Sequence, residues 1–557
     1  MFPVGQDVLL RERGLRLRAK QGNHFFALVF PGPYALGMAN LGFQTVLSLV
    51  YGLVGWRPER FFSDSGPRSL ESRAELFCFP IIGFSLCYER DLPTLISILS
   101  AGRVKPLALH RELADPLVIG GGAVPTLNPE IVAPFADVVI VGESEETLPR
   151  VLYIWQTMRE RVRNKPDLLT ALAEIEGVYL PSLVKPIYRK GTLGGFESRS
   201  PLVLPVKRQW VDVEAHECRT FIYSPHTHFR NTALVEISRG CSYRCRFCAG
   251  TVIYRPLRPR STDLVGAMFR QVLAFSGKVG LVGADILAHP QLTGILDDAK
   301  ALRLSTTFSS LSAQTLWERK DLLDSLAAGG IRTVTLAPES GNEVTRKILG
   351  KTLDNRQWIE LVDHILNTRR MNVKLYFMLG KPWSGPEDDL DFLSGLTSDN
   401  RPKGKITVSY SFFVPKPLTP LADTVALPFS RWKEEQRIFE KGLKKIGLAF
   451  SGESPRQAWV ELILARADRL LSEQIPRFVR DSGDSTVKTW KSLLGGIGRD
   501  LWEWPRSPWS GEFRPWQVVC SGIDEEHRKG ENERGERAEA AGRCFGHGCT
   551  ECGVCSR

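Results

Sequence analysis

The stretch Ile237-Ser238-Arg239-Gly240-Cys241-Ser242-Tyr243-Arg244-Cys245-Arg246-Phe247-Cys248-Ala249-Gly250 places three cysteines within eight residues. Three thiolates at this spacing can bind three irons of a [4Fe–4S] cube, which leaves the fourth iron without a ligand from the loop. A zinc loop or scattered core thiols are the alternatives, but structural zinc takes four ligands and no fourth Cys or His follows closely. The spacing therefore favours a cluster whose open iron can bind a small molecule and pass it an electron.

The residues around the cysteines predict where the loop lies. Residues 233–237 form a short apolar run typical of a buried strand, and Gly240 frees the backbone for a turn. The cysteines thus follow the C-terminal end of a strand, the face that carries the chemistry in barrels of βα units. Phe247 would shield a cluster, stack on an adenine or simply pack the loop.

Apolar strands and helical patterns alternate after the cysteines. The strand-like stretches are residues 279–283, 305–310, 331–341, 373–382 and 406–415, and helical stretches include 321–328 and 357–368. This alternation predicts an α/β fold with a parallel sheet, arranged as a partial (β/α)6 barrel.

The CxxxCxxC pattern after a strand, with an aromatic residue just before the last cysteine, resembles the radical S-adenosylmethionine (SAM) superfamily. The resemblance implies that Cys241, Cys245 and Cys248 hold a [4Fe–4S] cluster and that SAM binds its open iron. Reduction then splits SAM into methionine and a 5′-deoxyadenosyl radical, which abstracts hydrogen from a substrate. It also implies a reductant such as flavodoxin or ferredoxin.

The same resemblance implies SAM contacts at the ends of strands. The residues concerned are Gly283, Ala284, Glu339, Ser340, Gly380 and Phe247. The first two match a Gly-Gly-Glu element that meets the SAM amino group, with Asp285 replacing the usual Glu. Glu339 and Ser340 match an element near the ribose or amino-acid moiety, and Gly380 matches a glycine beside adenine. For each of these residues considered alone, the alternative is that it belongs to an ordinary βα loop, since glycine and proline are common in such loops.

Residues 24–160 predict a second, doubly wound α/β unit. Its strands are predicted at 25–30, 81–86, 117–120 and 138–141, with helices at 34–50, 92–99 and 145–155. Ligands on such sheets lie beyond the C-terminal ends of the strands, which here carry Pro31–Tyr34, Ser85, Gly120–Gly122 and Gly142–Glu143. These glycines do not match GxGxxG, so no dinucleotide site is predicted.

The order of the two units and the phrases Phe30–Gly42 and Asn128–Glu130 resemble B12-binding-domain radical SAM proteins, in particular an uncharacterised branch of them. The resemblance implies a Rossmann-like N-terminal domain of the cobalamin-binding type. The Asp-x-His-x-x-Gly element that supplies a lower histidine ligand is missing. Cobalamin binding and a purely structural scaffold are therefore both open.

A second cysteine cluster stands in the tail, at Cys544, Cys549, Cys552 and Cys555. Four thiolates in so short a stretch can close on zinc or ligate an auxiliary iron–sulfur cluster, and we favour the second because the chain must already meet cluster-assembly machinery. Residues 524–542, dense in charge, predict a solvated helix or tether. The remaining cysteines are predicted to be isolated packing residues, namely Cys78, Cys87, Cys218 and Cys520.

The length of 557 residues implies several domains. We predict a B12-binding-type domain over 1–160, a connecting segment over 161–230, the radical SAM barrel over 231–430, a helical subdomain over 431–523 and a charged tether with the Cys-rich tail over 524–557. The first residues show no apolar h-region, so no signal peptide is predicted, and no apolar run approaches a membrane span. Metal-type cysteine spacing indicates a reducing compartment. We therefore predict a cytoplasmic protein without membrane partners.

The net charge of +11 keeps RNA open as a substrate or partner, although no RNA-binding module is recognisable. Arg258 and Arg260 are predicted to hold an anionic substrate group or to pair with barrel carboxylates. The tryptophan-rich stretch 501–516 is predicted to pack a C-terminal subdomain on the barrel, with a partner surface as the alternative.

Together these features predict a radical SAM enzyme that reductively cleaves SAM at a [4Fe–4S] cluster to start radical chemistry on an unknown substrate. One alternative is a methylthiotransferase or methyltransferase acting on RNA or protein. Methylthiotransferases rank lower because they carry a three-cysteine cluster in the N-terminal domain, where only Cys78 and Cys87 are available. Another alternative is a non-catalytic iron–sulfur redox sensor or scaffold. Catalytic residues that act on the substrate are not predicted.

Overall fold

The computed structural model describes residues 6–308, 310–328, 331–368, 370–397, 404–482, 487–507, 513–544, 546 and 549–556. They divide into two compact units. The first takes in the described residues of 1–234, 463–501 and 509–522, and the second those of 235–462, 502–508 and 523–557. The chain start at 1–5, Ser309 in a predicted strand and residues 508–512 of the tryptophan-rich stretch lie outside the described residues.

The first unit is built on a mainly parallel sheet. Its strands are β1 His24–Phe30, β2 Trp56–Phe62, β3 Ile81–Ser85, β4 Leu117–Gly121, β5 Val138–Ile140 and β6 Val178–Tyr179. Their spatial order is β2-β1-β3-β4-β5-β6, and β6 runs antiparallel to β5. This confirms the doubly wound prediction. The strand order reverses between β1 and β3, the position where such sheets bind ligands.

Strand β2 was missed by the sequence prediction. Its Glu59 and Arg60 are both 0% exposed, and charged side chains are almost never fully buried unless they are paired. The Arg60 guanidinium is accommodated because Nε donates to Glu71 at 2.7 Å and Nη1 donates to Glu12 at 2.7 Å. Both carboxylates come from other segments, so the local hydrophobic pattern could not reveal this strand.

The helices of at least seven residues follow the predicted alternation. They are α1 Leu41–Gly52, α2 Leu92–Ala101, α3 Thr147–Met158, α4 Lys165–Leu172, α5 Thr262–Leu273, α6 Leu292–Ala301, α7 Asp321–Ala328, α8 Glu343–Leu349, α9 Asn355–Asp363, α10 Pro386–Thr397, α11 Phe429–Ile446, α12 Pro455–Ala465, α13 Ile475–Ser482, α14 Val487–Gly496 and α15 Glu525–Glu536. The helix predicted at 34–50 is broken at Asn40, whose side chain caps α1 by accepting a hydrogen bond from the Phe43 amide. Pro149 lies in the first turn of α3, where proline removes no helical hydrogen bond.

The second unit carries the barrel strands, apart from residues 233 and 234 of the first of them, which fall in the first unit. They are β7 Ala233–Glu236, β8 Lys278–Val282, β9 Ser305–Phe308, β10 Thr333–Glu339, β11 Asn372–Leu379, β12 Ile406–Phe412 and β13 Ala449–Gly452. They form the sheets β7-β8-β9 and β10-β11-β12-β13, parallel at every pairing from β8 to β9 and from β10 to β13. Helices connect successive strands, which confirms the predicted α/β architecture, and β13 extends it beyond the six predicted strands.

The C-terminal region is mainly helical, as predicted. The ring of Trp502 stacks on Phe429 of α11, with centroids 4.6 Å apart, and lies near Trp459 of α12. This part of the tryptophan-rich stretch therefore packs on helices that follow the barrel strands. Within the described chain, no helix combines the length and apolar character needed to cross a membrane.

Two predictions are corrected. Residues 524–542 do not form a purely solvated segment, because Glu531 of α15 is only 3% exposed. Cys78 is exposed, so it is not a packing residue, whereas Cys218 is buried as predicted. Leu76 and Phe79 on either side of Cys78 are buried in its place.

Candidate functional site

The triad loop, residues 240–248, follows strand β7 as predicted. Residues 238–239 pair with 258–259 in an antiparallel bridge, and Gly240 then turns the chain at φ +90°. A Cβ at Gly240 would meet the carbonyl oxygen of Pro256, so the turn requires glycine. Cys241, Cys245 and Cys248 are all half-buried on this loop.

The three thiols lie within range of one another's charge. Burial raises the pKa of each, to about 11 for Cys245, and the charges of Cys245 and Cys248 raise that of Cys241 further. Metal binding reverses such shifts because it deprotonates its ligands. Within the described residues, no three His, Cys, Asp or Glu side chains are grouped to hold a single metal ion. A cube differs from a single ion because each thiolate ligates its own iron.

Lys351 is a site residue that the sequence analysis missed. Its Nζ lies 3.5 Å from the Glu339 carboxylate. Burial lowers its pKa, but the negative charges of Cys245 and Glu339 outweigh this and leave the pKa raised. Helix α8 ends at Gly350 with φ +84°, and this left-handed cap delivers Lys351 to the thiols. The sequence signal that could have indicated this lysine is the glycine that ends the helix in Leu349-Gly350-Lys351.

Glu339 ends strand β10 in a strained conformation. Its φ is +67°, which is uncommon for a non-glycine residue, and the pairing of β10 with β11 shifts register between Leu336 and Glu339. Such a residue costs about 1–3 kcal/mol and persists where the surroundings enforce it. The charge of its carboxylate acts on both Cys245 and Cys248.

The end of β8 brings unpaired polar atoms to the triad loop. Asp285 is 3% exposed, accepts a hydrogen bond from the Ser242 hydroxyl and raises the pKa of Cys241. In the described part of the chain, Asp285 Oδ1 and Ser238 Oγ are buried without a hydrogen-bond partner. A Cβ on Gly283 would lie 2.6 Å from Ser238 Oγ. Ala284 is exposed beside them. These features fit a small polar ligand.

Ser340 and Gly380 are held by internal hydrogen bonds. The Ser340 hydroxyl donates to Asp389 at 3.0 Å, and Asp389 also accepts from Lys381 Nζ at 2.9 Å. The Gly380 amide donates to Glu435 at 2.7 Å. These contacts hold the loops after β10 and β11 in place. A role in SAM binding stays a prediction for both residues.

Phe247 packs against an apolar cluster at the strand ends. The cluster consists of Leu349, Met378, Phe413 and Leu421, with Trp383 also packed on it. Lys351 Nζ lies 6.0 Å from the centroid of the Phe247 ring. Phe247 thus packs the loop and forms an apolar wall beside the thiols, which excludes water from that side.

The contacts of Arg260 decide whether it pairs with a barrel carboxylate or is left for an anionic substrate group. It is 1% exposed, and its Nη2 lies 2.5 Å from the carboxylate of Glu236 on β7. It therefore pairs with a barrel carboxylate. Arg258 donates to the carbonyl oxygens of Pro256 and Tyr254.

The tail cysteines lie in the second unit with the triad loop. Cys544 and Cys552 are buried, and Cys549 and Cys555 are half-buried. Burial raises the pKa of the Cys555 thiol, and the charges of the other three tail thiols raise it further.

In the first unit, the strand ends at the β1–β3 reversal carry a small polar group. Asn40 Nδ2 lies 3.5 Å from Cys87 Sγ, and Ser85 Oγ lies 3.7 Å from the same sulfur. Gly121, at the end of β4, has open space where a Cβ would stand. Gly122 follows with φ +108°.

Two family profiles match this chain. Residues 63–181 match "Radical SAM proteins, N-terminal", and residues 235–393 match "Radical SAM superfamily". The second range begins in β7, contains the triad loop and ends in α10. The chain therefore belongs to the radical SAM superfamily and is a radical SAM enzyme. The cofactors of that family are a [4Fe–4S] cluster and SAM.

Two relatives were found by sequence. An uncharacterized protein of Methanocaldococcus jannaschii is 26% identical over 457 residues, which are 81% of this chain and 90% of that protein. Cytidylyl-2-hydroxyethylphosphonate methyltransferase of Streptomyces wedmorensis is 29% identical over 171 residues, 28% of this chain and 30% of that enzyme.

Similar solved structures include TsrM, a radical SAM methyltransferase of Kitasatospora setae, and OxsB, a cobalamin-dependent SAM radical enzyme. TsrM with tryptophan and a SAM analogue is 13% identical at a TM-score of 0.47, covering 72% of this chain and 76% of its own. OxsB with aqua-cobalamin and SAM is 16% identical at a TM-score of 0.43, covering 67% and 52%.

Proposed function

We propose that Cys241, Cys245 and Cys248 ligate the [4Fe–4S] cluster of this enzyme and that the second unit cleaves SAM there. The observation that carries the proposal is that the end of α8 lies against the triad loop beside an apolar wall. A Cβ on Gly350 would lie 3.2 Å from Cys245 Cα, and the next residue, Lys351, has its Nζ 3.5 Å from Glu339. When bound, the cluster supplies the electron that splits the sulfonium of SAM.

The chain's own residues would position SAM and balance charge. Lys351 offsets the negative charge of the thiolates and of Glu339, which lies 3.5 Å from its Nζ. The unpaired oxygens of Ser238 and Asp285 offer acceptors to the amino group of SAM beside Gly283. Ala284, Ser340 and Gly380 complete the proposed cofactor-binding residues through their strand ends, and Phe247 excludes water.

The test is SAM cleavage under anaerobic conditions. Reconstituted wild-type protein with dithionite and SAM should release 5′-deoxyadenosine, and Cys245→Ala should release none because one iron loses its ligand. Cys78→Ser, which changes an exposed cysteine far from the triad in sequence, is the matched control and should retain wild-type release. Release that survives Cys245→Ala defeats the ligand assignment. An intact wild-type cluster without release supports a redox sensor or scaffold instead.

A methyltransferase is the second candidate function. It is favoured by the match over 171 residues to an enzyme named as a methyltransferase. The strand-order reversal in the first unit supplies a position for a cobalamin, beside Ser85 and the open space at Gly121. Protein expressed with added B12 should then show cobalamin absorbance after gel filtration. If the protein is colourless but still cleaves SAM, the first unit serves as a structural scaffold and does not bind cobalamin.

The electron donor is proposed to be flavodoxin or ferredoxin. Such a donor should replace dithionite in the cleavage assay, with its reductase and NADPH present. RNA is retained as a candidate substrate on net charge alone, and methylthio or methyl transfer to RNA or protein is tested by incubating each with labelled SAM.

A further inference from the structure

The Cys-rich tail contacts the triad loop through the residues that lie between the cysteines. The backbone amide of Cys544 donates to the carbonyl oxygen of Ser242 at 2.6 Å. The next loop residue, Tyr243, pairs with Arg543 in an antiparallel bridge. The Arg543 guanidinium also lies 5.3 Å from the centroid of the Tyr243 ring. A tail segment some 300 residues away in sequence is thus joined to the loop backbone.

Two buried arginines of the loop extend this contact. Arg244 forms an ion pair with Glu551, and its Nη2 lies 3.9 Å from Cys549 Sγ. Arg246 is 0% exposed, and its Nε lies 3.2 Å from the Glu531 carboxylate of α15. Arg246 Nη1 also donates to the carbonyl oxygen of Glu539 at 3.0 Å. The cysteines of the triad loop are thus available to the proposed [4Fe–4S] cluster, while its arginines contact the tail.

Two hydrogen bonds connect cysteines of the tail to other tail residues. The Asp524 amide donates to the carbonyl oxygen of Cys552 at 3.0 Å, which closes the segment from α15 to the chain end. Cys555 Sγ donates to the carbonyl oxygen of Gly546 at 3.4 Å. All four tail cysteines are free thiols. A segment of this length with so few apolar residues cannot form a hydrophobic core, and small domains of that kind usually depend on a metal.

We propose that Cys544, Cys549, Cys552 and Cys555 bind a second metal centre, and that this centre clamps the tail onto the triad loop so that the loop can hold the first cluster. An auxiliary [4Fe–4S] cluster fits these thiols, because each thiolate ligates its own iron, whereas zinc needs four ligands around one ion and no three such side chains of the described residues are grouped to hold one. Four thiolates leave such a cluster with a charge of about −2. Arg244 lies beside that charge. The role assigned to the clamp rests on the proposed function of the triad loop.

The first experiment removes one tail thiol. Cys552→Ser is compared with wild type and with Cys78→Ser after anaerobic reconstitution, and iron and zinc per chain are measured together with the EPR signal of the reduced cluster with and without SAM. The change should remove the tail cluster, about four irons per chain, and zinc in place of iron at the tail of the wild-type protein overturns the cluster. It should also lower the SAM-responsive EPR signal at least three-fold, while Cys78→Ser matches wild type. Full metal content in Cys552→Ser overturns the second centre.

The second experiment loosens the contact and keeps all thiols. Arg246→Ala removes the buried guanidinium that meets Glu531, and Arg537→Ala, whose exposed side chain is 58% accessible, is the control. Arg246→Ala should retain the tail metal and still lower the SAM-responsive signal at least three-fold. Circular dichroism checks that each variant is folded, and if Cys552→Ser does not fold, Arg246→Ala decides. An unchanged signal in folded Arg246→Ala overturns the clamp.

Cys245→Ser separates this proposal from the function of the triad. It should lose the SAM-responsive cluster and keep the tail metal, because the tail carries its own ligands. Loss of the tail metal in Cys245→Ser overturns the independence of the second centre. A wild-type cluster that ignores SAM contradicts the proposed function, whereas an unchanged SAM-responsive signal in folded Arg246→Ala contradicts the clamp alone.

Discussion

Gly380 shows how a single residue shapes the loop after β11. Its φ is +71°, and a Cβ would lie 2.6 Å from Trp432 Nε1. The amide donates to Glu435 on the same helix. The sequence marked this glycine for a SAM contact, and the tertiary structure adds a packing reason that only the fold could show.

We predict that Gly380→Ala lowers the free energy of unfolding by about 2 kcal/mol, because it combines left-handed strain with contact against a buried ring. Gly395→Ala is the control, since Gly395 lies in α10 with nothing within 4 Å of a Cβ, and alanine there should be neutral or stabilise by about 0.5–1 kcal/mol. Urea denaturation measures both. Equal effects of the two changes would show that the φ of Gly380 imposes no cost.

Lys351 supports a prediction about redox chemistry. Lys351→Met removes a positive charge beside Cys245 and Glu339, so the cluster becomes harder to reduce and its potential should fall by tens of millivolts, on the order expected for one nearby charge. Lys351→Arg keeps the charge and should stay close to wild type. Potentiometric EPR titration measures the shift. A potential that does not move in Lys351→Met places the lysine outside the electrostatic environment of the cluster.

Helix α15 illustrates the limit of composition at the scale of an element. Its sequence is almost wholly polar and predicted a solvated segment, yet Glu531 is 3% exposed and Gly535 packs on Arg246. The buried face is small and is held by an ion pair in place of an apolar stripe. Hydrophobic periodicity cannot report such a contact, because the partner lies 285 residues away.

We predict that Glu531→Ala lowers the free energy of unfolding by about 3–5 kcal/mol, since it leaves the Arg246 guanidinium buried without its carboxylate. Glu533→Ala, on the exposed side of the same helix, should stay within about 0.5 kcal/mol of wild type. Urea denaturation of the full chain compares the two. Similar values for both variants would mean that the Arg246 pair is solvated and contributes little.

At the scale of the whole molecule, the chain returns to its first unit after the barrel. Residues 463–501 belong to the first unit, and Arg469 connects them to its N-terminal part. Its Nε and Nη2 meet the two oxygens of Glu130 at 3.1 and 2.7 Å, and Nη1 donates to the carbonyl oxygens of Pro181 and Val184. The N-terminal unit is thus completed by residues more than 300 positions downstream.

We predict that Arg469→Ala destabilises the first unit by about 3–5 kcal/mol, because the Glu130 carboxylate is left buried without its cation. Arg477→Ala, an exposed arginine in α13, is the control and should have little effect. The midpoint of the unfolding transition of the first unit in urea is the measurement. Unchanged midpoints in both variants would show that residues 463–501 do not contribute to the stability of that unit.

The sequence by itself determined the superfamily, the α/β class and the order of most strands. Cysteine spacing, a glycine turn and alternation of apolar runs are local, and they depend only on residues that are neighbours in the chain. The triad loop, the doubly wound sheet and the barrel strands were all available from this information.

Tertiary structure alone decided the charged strand β2, the approach of Lys351 and Glu339 to the thiols, and the contact of the tail with the triad loop. The strand and the tail contact rest on buried charges whose partners are distant in sequence, such as Arg60 with Glu12 and Glu71 or Arg246 with Glu531. A buried charge is stable only when it is paired with an opposite charge. Folding of the whole chain brings the two residues together, so the local sequence pattern around either one does not reveal the pair.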